Sequence, residues 1–197
     1  MAIGNGLINT INKNSTFGTS NIYLVPTFDV SKLEEEITAK LIDTNLLAIS
    51  DDGVNFEEEK EIYTTSIAGL NEKRVRGLER IIKSEGKITG TGKVVNKQLL
   101  NASLYTKQEN KSTKYDVWKI KEGYIDDANY SDVVMVGRNK DNELAQMIVL
   151  HNAYNTSLSV ETKGKEDYSC KLEFVSCYEL DKLNESPYEI ITLAETV

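Results

Sequence analysis

Any Ser–His–Asp or Cys–His nucleophilic site in this chain would have to use His151, the only histidine among its 197 residues. His151 follows the apolar run Leu144 to Leu150 at what reads as a turn, a setting more common for a surface or capping residue than for a general base. A zinc site would need His151 together with Cys170 and Cys177. The spacing of the two cysteines on what reads as one strand puts them on opposite faces, roughly 23 Å apart at about 3.3 Å per residue. That is beyond disulfide reach, so both are expected to be reduced thiols. Glu34-Glu35-Glu36 and Glu57-Glu58-Glu59 could supply carboxylates for acid–base work or for Ca²⁺, but neither run has the Asp-x-Asp-x-Asn-Gly spacing of a calcium loop. They read as solvated faces or, more sharply, as a surface that must not bind DNA. The stretch Gly86-Lys87-Ile88-Thr89-Gly90-Thr91-Gly92-Lys93 fails as a phosphate loop, because Val94 stands where a Mg²⁺-binding hydroxyl is required. It reads as a glycine-bearing strand.

Lys73, Arg74, Arg76, Arg80 and Lys83 form the one basic cluster, with Arg74, Arg76 and Arg80 on one strand parity. Three readings stay open for it. It can be a solvated face. It can make ion pairs between subunits, with Arg74, Arg76 and Arg80 of one copy meeting Glu57, Glu58 and Glu59 of a neighbour. It can touch nucleic acid, although the aromatic residues that usually interleave such a site are missing. No constellation supports a reaction, so the chain is expected to be neither an enzyme nor a cofactor or metal carrier.

The elements that must position these residues are mostly strands. Composition is that of a globular chain, 40 % hydrophobic and 27 % charged. A balance of 23 Lys and Arg against 31 Asp and Glu leaves −8, which argues against holding nucleic acid by its phosphates. No apolar run nears the roughly 20 residues of a membrane span. The start, Met1-Ala2-Ile3-Gly4-Asn5-Gly6, lacks a basic region and an apolar core of the signal-peptide kind.

Residues 1–20 are small and polar without period and read as an N-terminal arm, with 21–197 as one domain. Ile22 to Val25, stopped by Pro26, reads as a first strand. Ser31 with Glu34 resembles a capping box, and Leu33, Ile37 and Leu41 then fit one helical face, with a strand over 37–42 as the rival. Asp51-Asp52-Gly53 carries a hairpin signal. Strands are expected at Ile62–Ile67, at Val75–Lys83 ended by Gly86, and at Ile88–Val94, where the same-face Gly90 and Gly92 suggest a close approach by another backbone or helix. Asn96 caps a short helix with Leu99, Leu100, Ser103 and Leu104 on one face. A strand over Tyr115–Lys121 carries the lone Trp118. Val133 to Val136 is apolar on both faces and should be central. Leu144–Leu150, a corner at Asn152–Asn155, and a long half-buried strand from Tyr168 through Tyr178 to Leu180 complete the pattern. Such spacing without alternating helices predicts a mainly β fold, an antiparallel β-sandwich or open barrel with one packed short helix.

An ordered series of segments carries a resemblance: Gly53-Val54-Asn55-Phe56-Glu57, Glu61-Ile62, Ile67-Ala68-Gly69, Val75-Arg76-Gly77-Leu78-Glu79-Arg80-Ile81, Lys87-Ile88-Thr89-Gly90-Thr91 and Gln98-Leu99-Leu100. The later part continues it with Gly123-Tyr124-Ile125 to Val136-Gly137, then Ile148-Val149-Leu150-His151-Asn152-Ala153, then Lys163 to Phe174, and Pro187-Tyr188-Glu189-Ile190. Together, from Asp52 to Ile191, they resemble the tail tube (major tail) proteins of long-tailed bacteriophages. Ala68 stands where an acidic residue would precede the turn glycine, and Ser31 to Thr44 has no counterpart. The resemblance implies a β-sandwich with a packed helix that forms hexameric rings stacked into a tube. Its partners would be itself and the other tail proteins: tape measure, terminator and, in a contractile tail, sheath. DNA would pass through the lumen unbound, and the location would be the virion after assembly in the host bacterial cytoplasm, with no membrane. A decoration or carbohydrate-binding module on a virion is the alternative. It predicts a stable monomer with an exposed aromatic platform.

Overall fold

The computed structural model describes residues 20–50, 53–65, 75–92, 95–109, 114–120, 122–138, 144–162 and 169–193. The expected arm, Arg74, the hairpin residues Asp51 and Asp52, and the turn at 139–142 therefore lie outside the described residues, apart from Ser20 at the arm's end. Among the described residues ten strands run in chain order: β1 (Ser20–Val25), β2 (Leu46–Ser50), β3 (Asn55–Thr64), β4 (Glu79–Gly92), β5 (Tyr105–Lys107), β6 (Trp118–Ile120), β7 (Ser131–Arg138), β8 (Leu144–Glu161), β9 (Ser169–Val175) and β10 (Tyr188–Thr192). Two helices interrupt them, α1 (Leu33–Lys40) and α2 (Lys97–Ala102). Every strand pair is antiparallel, in the order β2-β1-β7-β8-β9-β4-β3, while β5 and β6 form a separate pair.

Strand β8 joins the two leaves of this sandwich. Its first half lies between β7 and β10, and its second half pairs with β9. The expected corner at Asn152–Asn155 is instead a bend inside one 18-residue strand, marked by Asn152 at φ +48° and a register shift between Asn155 and Ser157. Bends of this kind let one strand serve two packed sheets.

Alternation along β1, β7 and β8 splits the apolar residues into two layers. Ile22, Leu24, Val133, Ile148 and Leu150 face Ile88, Leu172 and Phe174 between the leaves. Tyr23, Val25, Val134, Val136, Met147 and Val149 face outward and are covered by Leu33, Ile37 and Leu41. This is why Val133–Val136 is apolar at every position. Each large aliphatic side chain withdrawn from water here contributes about 1.5–3 kcal/mol.

The helical reading of 33–41 therefore holds, and its driving force is this second layer. Its cap differs from expectation. A short 3₁₀ turn over Val30–Lys32 comes first, so Asp29 rather than Ser31 receives the free donors: its Oδ1 accepts from Ser31 N at 3.0 Å and Ser31 Oγ at 2.6 Å. Glu36 reaches back to accept from Asp29 N at 3.1 Å. At α2 the expected cap is present, with Asn96 Oδ1 accepting from Leu99 N at 2.8 Å.

Five strand expectations need correction. β2 and β3 do not pair with each other and stand at opposite ends of the strand order, so the Asp-Gly signal supplied only the positive φ of Gly53 (+89°). Val75–Leu78 is a turn around Gly77 (φ +92°), closed by Leu78 N donating to Val75 O at 3.1 Å. Arg76 thus leaves the strand parity it was expected to share with Arg80. β4 then runs unbroken through Gly86 to Gly92. Finally, β9 stops at Val175, so Cys177 and Tyr178 lie beyond it and Leu180 is 89 % exposed. The strand around Trp118 is also shorter, only Trp118–Ile120. Both cysteines are thiols with no disulfide between them.

Close approach at Gly90 is made by side chains rather than by a backbone or helix, and the same holds at Gly86. A Cβ on Gly90 would meet Ile22 Cδ1 at 3.1 Å. At Gly86 it would meet Leu150 Cδ2 at 2.8 Å and the Tyr188 ring at 2.9 Å, and both side chains are buried. Gly86→Ala is therefore expected to destabilise the chain by about 1–3 kcal/mol, read by chemical denaturation.

Candidate functional site

Beyond Gly86 the hairpin of β3 and β4 leaves its own body. β4 pairs with β9 only over Lys87–Gly92, whereas its pairing with β3 continues out to Thr64 opposite Glu79. All described residues from Glu57 to Thr65 are exposed, as are Glu79 to Lys83. A two-stranded ribbon of this kind is marginal in water without cover.

The ribbon nevertheless continues the alternation of the body. Phe56 and Ile88 are cross-strand partners on the core face, and farther out the same face carries Ile62 opposite Ile81. Ile82 is the extra residue of the bulge between Glu61 and Ile62. These three isoleucines are 53 %, 58 % and 49 % exposed. The core face of the hairpin has run past the core that would cover it. On the reverse face Tyr63 opposes Arg80, whose guanidinium lies 5.1 Å from the ring centroid.

Three aromatic residues fix the ribbon's root. The Tyr188 ring sits on Gly86 and against Phe56 (5.5 Å between centroids), and its hydroxyl donates to Glu58 Oε2 at 2.7 Å. Tyr178 Oη accepts from Ser84 N at 2.6 Å, and Ser176 Oγ from Gly86 N at 2.9 Å. Those side chains replace the next strand along β4, so the outward donors of Ser84 and Gly86 are satisfied. Burial, reinforced by the Glu58 carboxylate, pushes the Tyr188 phenol up to about 12. A phenol raised in the folded state stabilises fully below its ordinary value near 10 and loses that contribution as the pH climbs through 12. The Tyr188 ring resonances in a high-pH NMR titration should accordingly stay those of the phenol at pH 11.

The predicted contact residues fall at opposite ends of the hairpin. Glu57, Glu58 and Glu59 lie near the root, and Arg76 and Arg80 near the outer end. Glu57 faces Lys87 across the strands and accepts from Asn55 Nδ2 at 2.7 Å. Glu58 is engaged by Lys60 at 2.7 Å and by Tyr188. Glu59 stands directly opposite Glu85, an arrangement of like charges that costs the isolated chain stability. Six residues of strand separate Glu57 from Tyr63, the partner of Arg80, or about 20 Å. Ion pairs between Arg80 and Glu57 therefore cannot form within one copy.

The open face of this leaf is mostly polar, with Val175 and Tyr63 as apolar members. Register puts Glu57, Glu59, Glu61, Glu85, Glu161 and Glu173 on it with Lys83, Lys87 and Lys171, together with Thr89, Thr91, Ser157 and Ser159. Six carboxylates against three ammonium groups and the Arg80 guanidinium leave it acidic. Lys87 pairs with Glu173 at 3.1 Å across it.

His151 lies elsewhere, inside β8 rather than at a turn, on the wall of an open cleft of about 430 Å³. Its Nδ1 is 3.1 Å from Asp132 Oδ2 and its Nε2 is 3.5 Å from Glu189 Oε1. The hydrogen bond to Asp132 is the largest influence on the imidazole and, against the opposing effect of burial, raises its pKa above the ordinary 6.5. With both ring nitrogens directed at carboxylates, the imidazole has none left to take a proton from a nucleophile. Burial, helped by Glu85, raises the thiol of the nearby Cys177, opposite to the shift of an activated cysteine.

Neither the ribbon isoleucines nor the tyrosines at its root were foreseen as site residues. The available signal was length: the strand-like runs around Ile62 and Ile81 extend well beyond the usual strand of about 5–6 residues.

No family model and no curated protein matches the chain. Solved structures similar to it include a chain from the PVC sheath-tube complex of an extracellular contractile injection system in its extended state. That likeness has 10 % identity and a TM-score of 0.49, covering 98 % of this chain and 100 % of the other. A chain in the virion of a native gene transfer agent particle is 9 % identical over 70 % of this chain and 88 % of its own, at TM-score 0.37. Hcp1 from Salmonella typhimurium is 10 % identical over 80 % and 84 %, at TM-score 0.36. An extracellular contractile injection system and a gene transfer agent particle are a wider company than the long-tailed phages of the sequence resemblance. At such scores they are likenesses of chain course and assign this chain neither partner nor task.

Proposed function

We propose that the protein is a structural tube subunit whose copies close one another's open strand borders, in hexameric rings stacked into a tail tube. The observation that carries this is the uncovered core face of the β3–β4 ribbon, where Ile62, Ile81 and Ile82 face solvent beyond the chain's own sandwich. An apolar face continuous with the core needs a protein cover, and a sister copy supplies it in a closed ring. Arg76 and Arg80 at the outer end then meet Glu57 and Glu59 at the root of the neighbour's hairpin, a contact that Arg74 would join. That head-to-tail contact is heterologous, as ring closure requires.

The acidic open face of β3, β4, β9 and the second half of β8 would line the passage and repel phosphate, so that DNA moves through without sticking. On this reading the protein catalyses nothing. Its place is the tail of a virion or related particle, assembled in the bacterial cytoplasm beside tape measure, terminator and, where the tail contracts, sheath. Residues 1–20 would act as an arm between rings.

Light scattering on the eluting full chain, with negative-stain microscopy at rising concentration, tests the proposal. Rings or stacked filaments are expected, and a monomer at every concentration would overturn it. One observation favours the decoration module: Tyr115 and Tyr124, flanking β6, are 74 % and 98 % exposed. That reading requires the monomer.

A further inference from the structure

In the cleft around His151, three separate parts of the chain are tied through one titratable group. Asp132 comes from β7, His151 from β8 and Glu189 from β10. The other charged or titratable groups lining the cleft are Asp29, before the 3₁₀ turn, and Cys177, Tyr178, Glu179, Lys182 and Glu185 on the segment between β9 and β10. Glu179 is held by Lys182 at 2.7 Å and also feels the imidazole. Among the described residues, the other cations facing this set of carboxylates are Lys182, at Glu179, and Lys32, 3.6 Å from Asp29.

Donor arithmetic decides what a change of protonation does here. A charged imidazole carries two N–H donors, one for each carboxylate; a neutral imidazole carries one. Asp132 is buried and also accepts from Phe28 N at 2.7 Å and Asn152 N at 2.9 Å, whereas Glu189 is half exposed. The single remaining proton therefore stays on Nδ1 with Asp132, and Nε2 turns a lone pair toward Glu189. Glu189 directly follows Tyr188, the residue seated on Gly86 and bonded to Glu58 at the ribbon's root.

We propose that His151 is a proton-operated latch on β10, closed while the imidazole is doubly protonated and released when it loses a proton, so that the pH sets how firmly Tyr188 holds the root of the ribbon. The latch acts within one chain and stands whether or not copies assemble.

Because the chain has one histidine, a single set of imidazole resonances reports its charge. The test follows those signals by NMR from pH 5.5 to 9 on the full chain. It also measures amide hydrogen-exchange protection over Tyr188–Thr192, corrected for the intrinsic pH dependence of exchange. Protection is expected to fall about three- to tenfold as His151 deprotonates, the scale of one charge-assisted hydrogen bond. In Glu189→Gln, whose side chain is half exposed and leaves the Asp132 contacts intact, protection should be flat across the same titration. Constant protection in the natural chain, or the same fall in the variant, would overturn the latch.

Discussion

Ile81→Asp should leave the chain folded and abolish its self-association. Ile81 is 58 % exposed and its cross-strand partner Ile62 is 53 % exposed, so the isolated chain loses little when the side chain becomes a carboxylate. Exposed substitutions of this sort usually change stability by no more than about 0.5 kcal/mol. In a ring the same position is the middle of an apolar contact, and each interface would have to desolvate an unpaired carboxylate. That penalty is several kcal/mol per contact and recurs at every interface. Thermal melting and light scattering on one preparation separate the two effects. An unchanged melting curve with loss of all oligomers is expected. Undiminished rings in the variant would mean that the ribbon face is not what the copies share.

Asp132→Ala should have the largest effect on the fold itself. The Asp132 carboxylate accepts from Phe28 N, Asn152 N and His151 Nδ1, all around the bend of β8. Asn152 holds φ +48° there, a conformation costly for most residues other than glycine. Removing the acceptor orphans two backbone donors and one imidazole in a buried setting. The expected loss is about 3 kcal/mol, equivalent to roughly 6–12 °C in Tm for a chain of this length. Asp132→Asn keeps the shape but loses charge for His151 and should fall between the natural chain and the alanine variant. Part of the effect depends on pH. His151 is raised above 6.5 in the folded state, so its contribution is complete below that value and fades as the pH rises through the folded pKa. In Asp132→Ala that fading should shrink to the part owed to Glu189, and the gap to the natural chain should narrow at alkaline pH.

Patterns of period two made most of the fold legible. Val133–Val136, Leu144–Leu150 and Cys170–Phe174 were placed correctly because burial on one or both faces writes itself directly into the alternation. The cap at Asn96 was legible because its donor is three residues away. The misreadings share a different cause. Asp-Gly at 52–53 predicts a backbone angle, but which strands flank it as partners depends on β1 and β4, far away in the chain. Gly86 looked like a strand end because nothing local shows that Leu150 and Tyr188 fill the space a side chain would take. The pairing of His151 with Asp132 and Glu189 spans three strands and left no mark in spacing. The ribbon isoleucines escaped notice for a related reason, since an apolar residue in a strand reads as core whether or not a core is beneath it.

A cryo-electron-microscopy reconstruction of the full chain, assembled at high concentration, bears most directly on the ribbon. A neighbouring copy is predicted to lie over Ile62, Ile81 and Ile82, with its Glu57–Glu59 within ion-pair distance of Arg80. An assembly in which these isoleucines still face solvent, with copies joined through other surfaces, would contradict the account.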